Sequence, residues 1–265
     1  MKRPWLKTLL LSPCFLAPVM PAFAADGLTL SSETEVSSGK YGGTEATDIL
    51  FVPFVAKYES GLARLKLTVP YVEISGPGNV QIVNAANPGA ITASPMTPST
   101  QRDKASGLGD IVASASYNVL YDPATGMLLD IGGKIKFATA SKDKGLGTGK
   151  NDYSAQADAY KSLGQASTLM ATLGYTWMGK PEASNFRDVV FASAGLAYRL
   201  NADTVLSSFV DYRQSVVKSG PAPCELTLYI SHRLDNHWKI QAYALTGRSD
   251  ASPGKGIGAS LAYSL

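Results

Sequence analysis

Few residues in this chain could do chemistry, and none stand in a spacing that lets them. Gly145-Leu146-Gly147-Thr148-Gly149-Lys150 has the glycines and lysine of a phosphate cradle, but that loop needs Ser or Thr after the lysine and then a helix. Here Asn151 and a strand pattern follow. Gly254-Lys255-Gly256-Ile257-Gly258 departs from the dinucleotide fingerprint and opens a strand instead. His232 and His237, the only histidines, and Cys224 offer no metal-ligand spacing. No nucleophile can be set beside a base, and neither histidine makes the His-x-Ser pairing that a barrel lipase would use. The expectation is a protein that is not an enzyme and holds no cofactor and no metal.

What remains is ionic, and it alternates. Arg64, Lys66, Lys134, Lys136, Arg199, Arg213, Arg233 and Lys239 fall on the polar side of strand-like segments, as do Glu33, Glu35, Asp110, Asp130, Asp158, Asp211 and Glu225. The signs nearly balance. In a narrow enclosure such groups must pair or stay wet, because an isolated buried charge costs several kcal/mol. They therefore either fill an interior with ion pairs or line a conducting pathway, and the sequence leaves both readings open. The pathway candidates are Arg64, Lys66, Asp110, Asp130, Lys134, Lys136, Asp158, Arg213 and Lys239. Arg64 and Lys66 on one strand, with Lys134 and Lys136 two strands away, should form an electropositive strip that favours anionic solutes.

The elements that carry these charges repeat with period 2. Ile111, Ala113, Ala115, Tyr117, Val119 and Tyr121 share a face opposite Asp110, Ser114, Ser116 and Asn118; Leu129, Ile131, Gly133, Ile135 and Phe137 share one opposite Asp130, Gly132, Lys134 and Lys136. Roughly 9–11 tilted residues with one apolar face are what a transmembrane strand needs. The pattern predicts strands at Gly27–Ser38, Ala46–Tyr58, Leu62–Glu73, Gly107–Tyr121, Met127–Ala140, Asp152–Lys161, Ala166–Met178, Asp188–Leu200, Thr204–Gln214, Cys224–Arg233, His237–Thr246 and Gly254–Leu265. Connections alternate between short and long, as in an up-and-down antiparallel membrane barrel of twelve strands with short periplasmic turns. The segment around Phe51 and Phe54 is apolar on both faces, so something must cover its inner side, a folded-in loop or an apolar ligand. Pro53 should break the ladder locally or force a bulge. The stretch 74–106 has no periodicity and reads as a long loop. Tyr71, Tyr117, Tyr121, Phe137, Tyr153, Tyr175, Trp177, Tyr198, Tyr212, Trp238 and Tyr263 should face outward near headgroup level.

Residues 1–24 read as a cleaved signal peptide: Lys2, Arg3 and Lys7 precede the apolar run Leu9 to Met20, and Ala22-Phe23-Ala24 closes it. Residues 25–265 are then the barrel. Losing those three bases leaves the 24 basic residues level with the 21 acidic ones, so the basic balance is no argument for nucleic acid. Cys14 leaves with the signal, and Cys224 remains without a disulfide partner. An exported chain of alternating strands points to the outer membrane of a two-membrane bacterium. The expected partners are outer-membrane lipids and a small-molecule solute, and nothing in the sequence speaks to the oligomeric state.

The run Val52 to Gly76, with Pro70-Tyr71-Val72 and Ser75-Gly76-Pro77-Gly78, followed by Gly107-Leu108-Gly109-Asp110, resembles the outer-membrane transporter family linked by name to the MetA pathway of phenol degradation. The resemblance implies a barrel fold, an outer-membrane location and a transport role, and it carries over no site residues. Together with the inward charges it suggests a passive channel for small aromatic or apolar molecules. The alternative is a structural or interaction barrel with a filled lumen whose extracellular loops bind a partner.

Overall fold

The computed structural model describes residues 24–41, 45–77, 80–84, 92–95, 102–182, 184–218 and 220–265. Its strands are β1 (Ala24–Gly39), β2 (Thr47–Gly61), β3 (Ala63–Pro77), β4 (Val80–Asn84), β5 (Thr92–Pro95), β6 (Arg102–Leu108), β7 (Val112–Asp122), β8 (Met127–Lys136), β9 (Asp152–Leu163), β10 (Ser167–Trp177), β11 (Val189–Arg199), β12 (Thr204–Arg213), β13 (Cys224–Arg233), β14 (Trp238–Gly247) and β15 (Lys255–Ser264). Sequential antiparallel pairing runs from β7 to β15, β15 closes on β1, and β1–β2–β3 returns to β7. The result is a closed barrel of twelve wall strands. Closure matters because unpaired backbone groups cannot be hydrated in hydrocarbon.

Alternation decides which way each strand faces. On β2, Thr47, Ile49, Phe51, Val55, Lys57 and Glu59 are buried inside, while Phe54 and Tyr58 are exposed outside. Exposed Leu65, Leu67, Ile131, Ile135, Leu169, Leu173, Leu228, Ile230, Ile257 and Leu261 form the apolar outer belt. Most of the expected outward aromatics lie in or beside it, among them Tyr117, Tyr153, Trp177, Tyr198 and Trp238. Three of the short turns use one local device: Asp122, Asn201 and Asp235 each accept backbone N–H groups two and three residues on. In two others Gly61 and Gly164 supply a left-handed φ, as Gly126 does within the Asp122 turn.

Several expectations are corrected. Gly107–Tyr121 is two strands: β6 and β7 stack along the same edge of β3, which pairs with Leu108 at Tyr71 and with Val112 at Thr68. Between them Gly109 N–H donates to Pro70 O and Asp110 turns inward. The strand expected to run to Ala140 stops at Lys136, because the Asp110 carboxylate draws off the Thr139 and Ala140 N–H groups. Strand pairing enters the 74–106 stretch from both ends, where Ile74–Pro77 pairs with Arg102–Ala105 and β4 pairs with β5. The inward alternation of Val72 and Ile74, both buried, extends the hairpin upward. A bulge between Asn118 and Leu120 puts Tyr121 opposite Leu128, on the Asp130 side, and removes it from the outward set. At Pro53 the β1–β2 ladder is interrupted with no change of register, since Ser32 faces Phe54 and Glu35 faces Phe51 on the same frame. The signal segment through residue 23 lies outside the described residues.

Candidate solute pathway

The interior divides into three regions. Near the long loops, on the β2–β3 side, Tyr41, Ile49, Phe51, Val72, Ile74, Ile82, Ala140 and Leu146 make a buried apolar cluster. Ile82 N–H donates to Gly145 O, so the β8–β9 loop folds into the barrel and covers the apolar inner face of β2. Of the two covers foreseen for that face, the folded-in loop is the one present. The loop is anchored by a buried ionic node in which Lys136 Nζ lies 2.9 Å from Asp110, 3.0 Å from Asp152 and 3.2 Å from Thr148 Oγ1. Asp110 Oδ1 accepts the N–H groups of Thr139 and Ala140 at 3.1 and 2.9 Å. Lys136 and Asp110 therefore hold a loop in place.

Near the short turns a second network crosses β2, β3, β7 and β8. Lys57 Nζ is 2.5 Å from Glu59, Arg64 bridges Glu59 at 2.9 Å and Asp130 at 3.4 Å, and Asn118 Nδ2 donates to Asp130 at 2.8 Å. Across the lumen at this end Met170, Ala197, Val205 and Phe209 cluster with Tyr160 and Tyr229.

Between these ends lies a cavity of about 180 Å³ along the inner wall from β3 to β13. Of the nine candidates, Arg64, Lys66, Lys134, Lys136, Asp158 and Arg213 line it; Asp110, Asp130 and Lys239 do not. Register explains the grouping: Lys66 pairs with Ser114 and Ser114 with Lys134, so the two lysines share one row. Asp158 is held by Gln156 Nε2 and Thr172 Oγ1, each at 2.7 Å. Lys134 Nζ sits 5.3 Å from the Phe191 ring centroid, within cation–π range. On the far wall Tyr243 OH lies 2.6 Å from Glu33 and 2.7 Å from Glu35.

Glycines decide how much of the lumen stays open. Phe191 pairs directly with Gly174, Phe209 with Gly195 and Tyr243 with Gly258. A Cβ at these glycines would come within 2.1, 2.3 and 2.3 Å of the facing ring, so each ring lies flat across the neighbouring strand. Rings laid along the wall line the lumen instead of crossing it. The sequence reading missed these pairs, together with Lys57, Glu59, Asp152, Gln156 and Phe191. Strand parity could have found Lys57 and Glu59, which share the inner face of Val55, but the glycine pairs appear only once register is known.

A closed antiparallel barrel with an apolar belt outside and ion pairs inside is a transmembrane barrel of the outer-membrane type. The chain belongs to the family described as "Putative MetA-pathway of phenol degradation", whose model matches residues 21–265. Among solved structures it is similar to the COG4313 outer membrane channel from Pseudomonas putida F1, at 11% identity and TM-score 0.67 over 94% of this chain and 100% of that one. It is also similar to the KdgM porin, at 10% identity and TM-score 0.53 over 89% and 98%. The translocator domain of the autotransporter NalP from Neisseria meningitidis matches at 10% identity and TM-score 0.50 over 91% and 88%. At these identities the likeness is one of fold. No curated protein sequence matches.

Proposed function

We propose that the barrel is a passive outer-membrane channel for small aromatic or apolar molecules, delivered there after removal of residues 1–24. The observation that carries this is the cavity of about 180 Å³ along the ionic wall, where the Phe191 ring lies flat over Gly174. An interior cavity of ~150 Å³ is enough to admit benzene. The family's name ties it to phenol degradation, and two of the structural neighbours are a channel and a porin, which agrees with this reading. Selectivity would come from the lumen-facing Arg64, Lys66, Asp158, Lys134 and Arg213, and from the constriction by the β8–β9 loop. No energy coupling is needed. Conductance in planar bilayers tests it: discrete, salt-dependent channels are expected.

A second reading has its own observation. The apolar cluster around Leu146 and the two ionic networks fill much of the interior, as in a barrel whose lumen is closed and whose loops bind a partner. A correctly folded barrel that never conducts would favour it.

A further inference from the structure

One ladder row of the cavity wall presents an unusual set of groups. Gln156 on β9 pairs with Gly174 on β10, Gly174 with Phe191 on β11, and Phe191 with Arg213 on β12. The row spans three strand spacings, roughly 14 Å of wall, part of which the two polar side chains themselves cover. At one end Arg213 Nε is buried without a hydrogen-bond partner among the described residues. Asp211 and Glu225 act on it only through space. At the other end Gln156 Oε1 is likewise unpartnered, while its Nε2 is committed to Asp158. Between them the Phe191 ring lies flat over Gly174, with the Lys134 ammonium 5.3 Å from its centroid.

Both side chains line the cavity, and each carries a buried polar atom without a partner among the described residues, which is costly when unmet. A guanidinium edge fits a planar, bidentate acceptor, which among small solutes means a carboxylate. The Lys134 ammonium adds a second cation near the same ring. Gln156 Oε1 accepts only, so the group facing it must donate. An aromatic ring fits between, against Phe191. We propose that this row is a binding subsite for a hydroxylated aromatic carboxylate, its carboxylate on Arg213, its ring beside Phe191 and its hydroxyl donating to Gln156 Oε1. The proposal rests on the channel reading of the barrel and names the solute class that the lumen selects.

The test is equilibrium binding to the purified full barrel in detergent, by titration calorimetry with 4-hydroxybenzoate, benzoate and 4-methylphenol. The expected order is 4-hydroxybenzoate tightest, with benzoate and 4-methylphenol weaker. Arg213→Met should weaken 4-hydroxybenzoate at least about tenfold and leave 4-methylphenol unchanged. Gln156→Leu should bring 4-hydroxybenzoate down to the benzoate level while benzoate itself is unaffected, which keeps the test decisive if Arg213→Met does not fold. Gly174→Ala, which must displace the Phe191 ring, should weaken all three. Equal binding of 4-methylphenol and 4-hydroxybenzoate, insensitivity to both polar variants, or no saturable binding in a wild-type barrel that conducts would each overturn the subsite. Failure of the channel reading itself shows separately, as a folded barrel without conductance.

Discussion

Two walls of one barrel solve the same problem in opposite ways. On β2 and β3 the inner face toward the loops is apolar, with Ile49, Phe51, Val72 and Ile74 buried, and a loop is drawn inside to cover it. From β7 to β13 the inner face beyond the cluster of Met170 and Phe209 is largely ionic and polar, and a cavity remains. The difference lies in what each face asks of its surroundings. Apolar side chains in a lumen are stabilised by excluding water, so they recruit Leu146 and Ala140. Ionic side chains are stabilised by partners or water, so they tolerate open space. The barrel is thus plugged on one side and lined on the other, and the Lys136 node where β7, β8 and β9 meet holds the boundary.

That contrast breaks most sharply at the boundary. Lys136→Met leaves Asp110 and Asp152 as buried carboxylates without their cation, and should destabilise by about 3–5 kcal/mol. Urea unfolding of the lipid-reconstituted barrel would measure it, and proteolysis within 141–150 should rise in parallel. Leu146→Ala, inside the plug, should cost about 2–5 kcal/mol on the same assay, more than truncating exposed Leu173 on the lipid side. The outer belt gives the next effect: Ile131 is half exposed to lipid, and Ile131→Arg should cost about 2–4 kcal/mol if it sits near the midplane, with Ser116→Arg on the inner face better tolerated. The reverse order would mean the faces are exchanged.

The smallest effect lies outside the membrane, at the turns. The N–H groups of Trp238 and His237 hold the Asp235 carboxyl below its ordinary range, and the Thr125 hydroxyl and neighbouring N–H groups do the same for Asp122. Carboxyls depressed in the folded state add stability above their unfolded value of about 3.9 and lose it as pH falls through the folded one. Stability should therefore fall as pH drops below about 3.9, and Asp235→Ala should flatten part of that fall. Both groups are exposed, so the effect is small.

Much of the architecture was legible because alternation is local. Asp130, Lys134 and Lys136 against Ile131 and Ile135 assign faces without knowledge of the partner strand, and the short and long connections alternate in the sequence itself. The apolar inner face of β2 was legible as well, and it called for a cover. Pairings remote in sequence were hidden. Nothing local says that Asp110 captures the N–H groups of Thr139 and Ala140, which splits one expected strand and shortens another. The bulge that turns Tyr121 inward depends on its β8 partner. Gln156, Phe191 and Arg213 form a row only after three registers are set. For the same reason the four bases foreseen on one wall, all of which line the cavity, prove unequal: Arg64 and Lys136 are held by carboxylates, and Lys134 stands over an aromatic ring.

Lys134 therefore gives the most direct test of an open, ion-lined lumen. Reversal potentials of single channels in planar bilayers under a salt gradient would be compared for wild type and Lys134→Glu. The lined-wall account predicts clear conductance in both, with the variant shifted toward cations and still assembled. A folded wild-type barrel that carries no current, or a reversal potential unmoved by the substitution, would contradict it.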